Sequence, residues 1–197
     1  MAMEKKRTVK IGVTDFYVAK ATFDEETKKV TYGEVGVFGG TATVGVTVNK
    51  NANKVYESDE LIHNHNRISG ADITYTSRTV ALASEMEVLH NMQAAEGDEY
   101  IVGPDDLPEH WAVGWARKQS DGSMICVWYL WTEPSRGDES DETATDTQTS
   151  NPESYTFAAS SSPELRADGK PKMKRVKKVA NAEEAKAFFA SVLPVST

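Results

Sequence analysis

The chain has a single cysteine, Cys126, so no disulfide can form within it and a reducing compartment is the expectation. Cys126 lies in the apolar run Met124-Ile125-Cys126-Val127-Trp128, which predicts a buried, unreactive thiol. No apolar run approaches the roughly 20 residues of a membrane-spanning helix, and no apolar segment follows the basic start. Neither a membrane partner nor a secretory leader is therefore expected. The chain also lacks a G-x-S-x-G elbow, a P-loop and a G-x-G-x-x-G fingerprint. His63 and His65 have the spacing of one strand face, but no cysteine accompanies them, so they read as solvated loop histidines and not as a metal site. His90 and His110 have no recognisable partners, and Asp105-Asp106 before Leu107-Pro108 reads as a loop. A glycosidase-like acid pair would be scattered along the chain, and nothing singles one out among so many acids. The expectation is a protein without catalytic residues, metal or cofactor.

Positive charge is scarce over a long stretch: between Glu57 and Glu109 only Arg67 and Arg78 oppose a run of acids that includes Asp59, Glu60 and Asp72. The net charge of −8 hides a reversed segment, 166–178, where Lys174, Arg175, Lys177 and Lys178 join Arg166, Lys170 and Lys172 against Asp168 alone. Lys5, Lys6, Arg7 and Lys10 make the start basic as well. A basic stretch can bind nucleic acid, but this one has no interleaved aromatics and sits in an acidic molecule. Pairing with acidic surfaces of other copies is the more economical reading, beside that of a solvated edge strand kept from sticking.

The periodicities are mostly those of strands. Val9 to Lys20 opens with Val9, Ile11 and Val13 in alternation. Over 41–49, Ala42, Val44, Val46 and Val48 share one face while Thr41, Thr43, Thr47 and Asn49 share the other. In 71–80, Ile73 and Tyr75 oppose Asp72, Thr74, Thr76 and Arg78. The polar stretch between these strands, 51–70, predicts a protruding loop. Trp111–Lys118 and Met124–Thr132 flank an Asp-Gly turn, a strong hairpin signal. The second of these strands is apolar on both faces, so it needs two covers, and another subunit is one expected source of the second. Two helices are predicted. The first runs over 84–95, capped by Ser84 and stopped by Gly97, and the second follows the cap Asn181 over 181–193 up to Pro194. At 197 residues the whole fits one mainly β domain with an N-terminal arm of about 1–8 and a C-terminal arm and helix of about 164–197.

The segment AVGWARKQSDGSMICVWYLWTEPS, residues 112–135, resembles the major tail tube proteins of long-tailed, non-contractile (siphovirus) bacteriophages. Similar elements stand in the same order elsewhere: V-K-I-G-V-x-x-F-Y-V-A at 9–19, the Thr-rich strand at 41–49, the acidic Val55-Tyr56-Glu57-Ser58-Asp59, the helix at 84–95, then Tyr155-Thr156-Phe157-Ala158-Ala159 and Asp168-Gly169-Lys170. The resemblance implies a mainly β, β-sandwich or barrel-like fold with a flanking helix, in a virion structural protein, made in the host bacterial cytoplasm, that forms hexameric rings stacked into a hollow tail tube. It implies no enzymatic role and no cofactor. The partners it implies are other copies of the chain, the tape measure protein, the tail terminator and the distal tail or baseplate proteins. DNA would pass through without specific binding. In such a tube Thr41, Thr43, Thr47, Asn49, Asp72, Thr74 and Thr76 would face the lumen. Glu57, Asp59, Glu60, Arg67, Lys174, Arg175, Lys177 and Lys178 would meet neighbouring subunits or rings. A tube protein of a contractile injection system shares these expectations. A monomeric β-sandwich binding module is the other alternative, and it predicts an exposed aromatic platform built from Trp111, Trp115, Trp128 or Trp131, against the reading of these tryptophans as core.

Overall fold

The computed structural model describes residues 8–57, 60–93, 99–136 and 152–194, with 52–57 and 60–67 as backbone only. In chain order the elements are β1 (Lys10–Val13), β2 (Phe16–Asp24), β3 (Lys29–Tyr32), β4 (Gly36–Gly39), β5 (Thr43–Glu57), β6 (Glu60–Ser77), α1 (Leu82–His90), β7 (Trp111–Gln119), β8 (Met124–Arg136), β9 (Glu153–Ala159), β10 (Ser162–Leu165), β11 (Pro171–Lys172), β12 (Lys174–Val179) and α2 (Ala182–Phe189). The fold is mainly β, as the alternation predicts. One antiparallel sheet follows the order β3-β2-β7-β8-β9-β6-β5, with β4 on β2, β1 on β7 and β12 on β8, while β10 and β11 pair with each other.

The hairpin of β7 and β8 organises this sheet. Its Asp-Gly turn forms as predicted, with Gly122 at φ 80 and Asp121 accepting hydrogen bonds from the Ser123 N–H and hydroxyl. Each of the two strands takes different partners along its length. β7 pairs with β2 near Trp111–Gly114 and with β1 near Arg117–Gln119. β8 pairs with β12 over Met124–Tyr129 and with β9 over Thr132–Arg136. The opening strand is accordingly two strands, not one. Thr14 breaks it by bonding β7 in both directions, its N–H to Ala116 O (2.9 Å) and its Oγ1 to Ala116 N (2.8 Å).

The sheet curls until strands four places apart in its order meet. Phe16 of β2 stacks on Tyr75 of β6 with ring centroids 4.3 Å apart, and Phe157, Trp115 and Phe38 complete this inner core. Gly40 O holds the curl closed, accepting from Tyr75 Oη at 3.1 Å and Ser77 Oγ at 2.6 Å. α1 contributes Val88 and Leu89 to the same core. It starts earlier than predicted: Ala81 is the cap residue, without a side-chain cap bond, and Ser84 lies inside the first turn. Asn91, in the left-handed region at φ 52, ends it before the predicted Gly97. Glu85 on α1 is buried and faces Arg136 at 2.8 Å, which ties the helix to the end of β8.

The outer face of β8 carries Met124, Cys126, Trp128 and Leu130, all buried, and Cys126 is the inert thiol the sequence predicts, its pKa pushed by burial up to about 11. The chain covers this face itself. Phe188, Phe189 and Val192, on and just after α2, lie over Trp128, which corrects the expectation of a cover from another subunit there. Asn181 caps α2 as predicted, accepting from Glu184 N at 2.9 Å, but the helix ends at Phe189, before Pro194. The polar stretch 51–70 also differs from expectation. Apart from residues 58–59, which lie outside the description, it continues β5 and β6 as a paired ribbon to Glu57 opposite Glu60. β9 accompanies β6 only as far as Ala71, so the ribbon projects past the rest of the sheet. A ladder of backbone bonds needs only a partner strand, so a polar sequence can form one. In the C-terminal segment β12 pairs with β8 and α2 packs on the outer face of the sheet.

Gly114 lies under Trp128, and a Cβ there would sit 2.6 Å from the indole and 2.9 Å from Val127 O. Gly114→Ala should therefore destabilise the protein by about 1–3 kcal/mol, read as a lower urea midpoint with an unchanged slope.

Candidate functional site

Alternation in four neighbouring strands separates a core face from a bare polar face. Along β5, β6 and β9, Val44, Val46, Ile73, Tyr75, Tyr155 and Phe157 turn inward. The opposite positions carry Thr43, Thr47 and Asn49 on β5, Asp72, Thr74 and Thr76 on β6, and Ser154 and Thr156 on β9. Register aligns them in rows: Thr43 beside Thr76 and Ser154, Thr47 beside Asp72 and Ala158. The second half of β8 extends the face with Glu133 and Ser135, opposite Ala158 and Thr156. No element packs over this surface among the described residues. Its charged groups there are Asp72 and Glu133, and Asn49 Nδ2 donates to Asp72 Oδ2 at 3.1 Å. Arg78, predicted to share the face, lies just past the end of β6.

Six of the seven residues singled out from the sequence thus lie on one surface. Thr41 does not, because it precedes β5 and its hydroxyl oxygen is buried. The apolar side is also less uniform than the valine alternation implies: Ala42 is exposed, and Val48 is 40% exposed where the core ends. Ser154, Thr156, Glu133 and Ser135 were missed. Their signal was available in the alternation of Ser154-Tyr155-Thr156-Phe157, but the pairing of β9 between β6 and β8 is not readable from spacing.

The basic stretch divides on inspection. Arg175 is an anchor for α2: its guanidinium donates to Ser191 O and Val192 O at 3.2 and 2.8 Å and lies over the Phe188 ring. It remains half-buried beside those bonds. Lys178 approaches Asp121 at 3.6 Å, and Lys172 pairs with Glu164. Lys174 and Lys177 are exposed on β12 and form no ion pair among the described residues. Glu57 and Glu60 face each other at the tip of the ribbon and Arg67 lies opposite Asn51, while Asp59 lies outside the described residues. Trp111, Trp115 and Trp128 are buried, and Trp131 is half-buried against His110 with ring centroids 4.1 Å apart. The four tryptophans therefore form no aromatic platform. No family model matches the chain, and no curated protein matches it.

Two consequences can be measured. Arg175→Met keeps the stem but loses both carbonyl bonds, and it should lower stability by about 1–3 kcal/mol while the β-sheet circular dichroism persists. Glu164 joins the hairpin of β10 and β11 to β3 by accepting from Val30 N at 3.2 Å. Burial disfavours its charge, but Lys172 and the Val30 N–H outweigh that and hold its pKa below the usual glutamate value. Its contribution is thus present above the ordinary glutamate range and is lost as pH falls through the lowered pKa. At neutral pH Glu164→Gln should be less stable than the unsubstituted chain by about 1 kcal/mol, and denaturation curves taken at progressively lower pH should show the gap closing.

Proposed function

We propose that this chain is the repeating subunit of a hollow tube, of the kind that forms the tail tube of long-tailed, non-contractile bacteriophages. The observation that supports it best is the bare polar face of β5, β6, β9 and the end of β8. A sheet with one apolar face and one face of hydroxyls, an amide and two acids is suited to lining a water-filled channel. Lysines or arginines on such a wall would capture phosphates by counterion release, whereas hydroxyls and carboxylates keep it wet and let DNA slide. β5 ends the sheet order, so it offers a free edge that a neighbouring copy can complete, and closing a ring of copies removes the edge. The order of motifs that resembles tail tube proteins points the same way. On this reading the subunit works in the virion tail, as stacked hexameric rings. Its partners are other copies, a tape measure protein during assembly, and the terminator and distal tail proteins at the two ends. DNA passes through at ejection.

Negative-stain microscopy with light scattering, at rising protein concentration and with tail-tip proteins added as initiator, should show hollow rings or tubes. A sample that stays monomeric with the initiator present would overturn the reading. Thr74→Lys with Thr156→Lys, neighbours across β6 and β9, tests which face lines the bore. The substituted tubes should retain short DNA in a salt-dependent, nuclease-protected form that the unsubstituted tubes do not. DNA held but open to nuclease would place this face on the outside.

A further inference from the structure

The molecule carries an apolar knob and an apolar cleft at opposite ends of the same strand. The knob is the loop before β7, where Ile101 is 83% exposed and Leu107 73%, with Val102 between them. Three large aliphatics left open within seven residues form a patch of the kind that marks a contact surface. The loop is already shaped: Gly103 N donates to Asp106 Oδ2 at 2.6 Å, and Asp106 N donates to Gly103 O at 3.3 Å. Glu99 precedes these aliphatics and Asp105 lies among them, both exposed and without a cationic partner among the described residues.

The cleft, about 340 Å³, opens between β1 and β5, whose outer edges are unpaired among the described strands. Val13, Val44, Val46 and Trp115 form its apolar floor. Lys10 and Arg117 form its rim, and neither has a carboxylate partner among the described residues. The knob leads into Trp111 and the cleft includes Arg117 on the same strand, so roughly 20 Å of extended chain separates the two.

We infer that the loop at 99–108 of one copy docks in the β1–β5 cleft of the next, its acids meeting Lys10 and Arg117 and its aliphatic side chains covering the half-buried valines. This inference rests on the reading of the chain as a self-assembling subunit and names the contact that joins the copies. Charge complementarity selects the occupant: the knob brings apolar groups accompanied by acids, and the cleft offers apolar groups flanked by cations. Because the two surfaces differ and lie at opposite ends, the contact is head-to-tail, which propagates as a ring or a filament and not as a closed pair.

Charge reversal with rescue tests it. Lys10→Glu with Arg117→Glu, or Glu99→Lys with Asp105→Lys, should each raise the concentration needed for assembly by about tenfold or more. A chain carrying all four substitutions should recover most of that loss. Leu107→Ser, at an exposed site, should also weaken assembly while the melting temperature stays put; should the Arg117 substitution impair folding, Lys10→Glu alone replaces its pair. Tubes that form equally well with either charge set, or four substitutions no better than two, would overturn the contact and leave the tube reading standing. An unsubstituted chain that does not self-associate even with an initiator would remove both.

Discussion

A strand with two apolar faces has to be covered twice, and the rest of this structure depends on how β8 meets that demand. On its inner side Val127 and Tyr129 join an aromatic core that draws the sheet into a curl, so that β2 and β6 meet across it. On its outer side Trp128 and Leu130 lie under α2. The two requirements place small residues beside large ones. Ala112, Gly114 and Ala116 on β7 leave room for the indole and for the helix above it. The result is one continuous sheet between two hydrophobic layers, in which the second layer is a short helix held by Arg175.

With its core satisfied internally, the molecule turns a different chemistry outward. The far part of the sheet needs no second layer, because β5, β6 and β9 alternate and their outer positions are hydroxyl, amide and acid. The proposed tube makes use of that difference: the side that needed no cover is the side that can stay wet. Where the inner layer runs out, near Val46 and Val48, apolar side chains reach the surface at the open edges of β1 and β5. A domain finished in one direction and unfinished in the other is suited to assembly.

The local elements were legible wherever one short-range rule governed them. Asp121-Gly122 set the hairpin, Asn181 and Glu184 set the start of α2, and the Thr/Val alternation set the polar face. The failures came from long-range partners. Ser84 has the chemistry of a cap, but Ala81 O accepts from Glu85 N, so the helix begins a turn earlier, with Glu85 directed at Arg136, about 50 residues away in the chain. The stretch 51–70 lacks core residues and reads as a loop, yet a ladder of backbone bonds needs only a partner strand. Arg175 and Lys174 look alike in sequence, and only the position of α2 turns one into an anchor and leaves the other bare. The loop at 101–107 was read simply as a loop, because exposure of an aliphatic side chain is not a property of its own neighbourhood in the chain.

The order of synthesis gives α2 a further significance. It emerges roughly 45 residues after β8, which at ordinary rates of translation is roughly 2–9 s later. During that interval the outer face of β8, with Trp128 and Leu130, lacks α2, and the nascent chain presents an apolar strip to its surroundings. The chain is thus more prone to stray association before α2 arrives than after, and slowing translation between β9 and α2 would lengthen that interval.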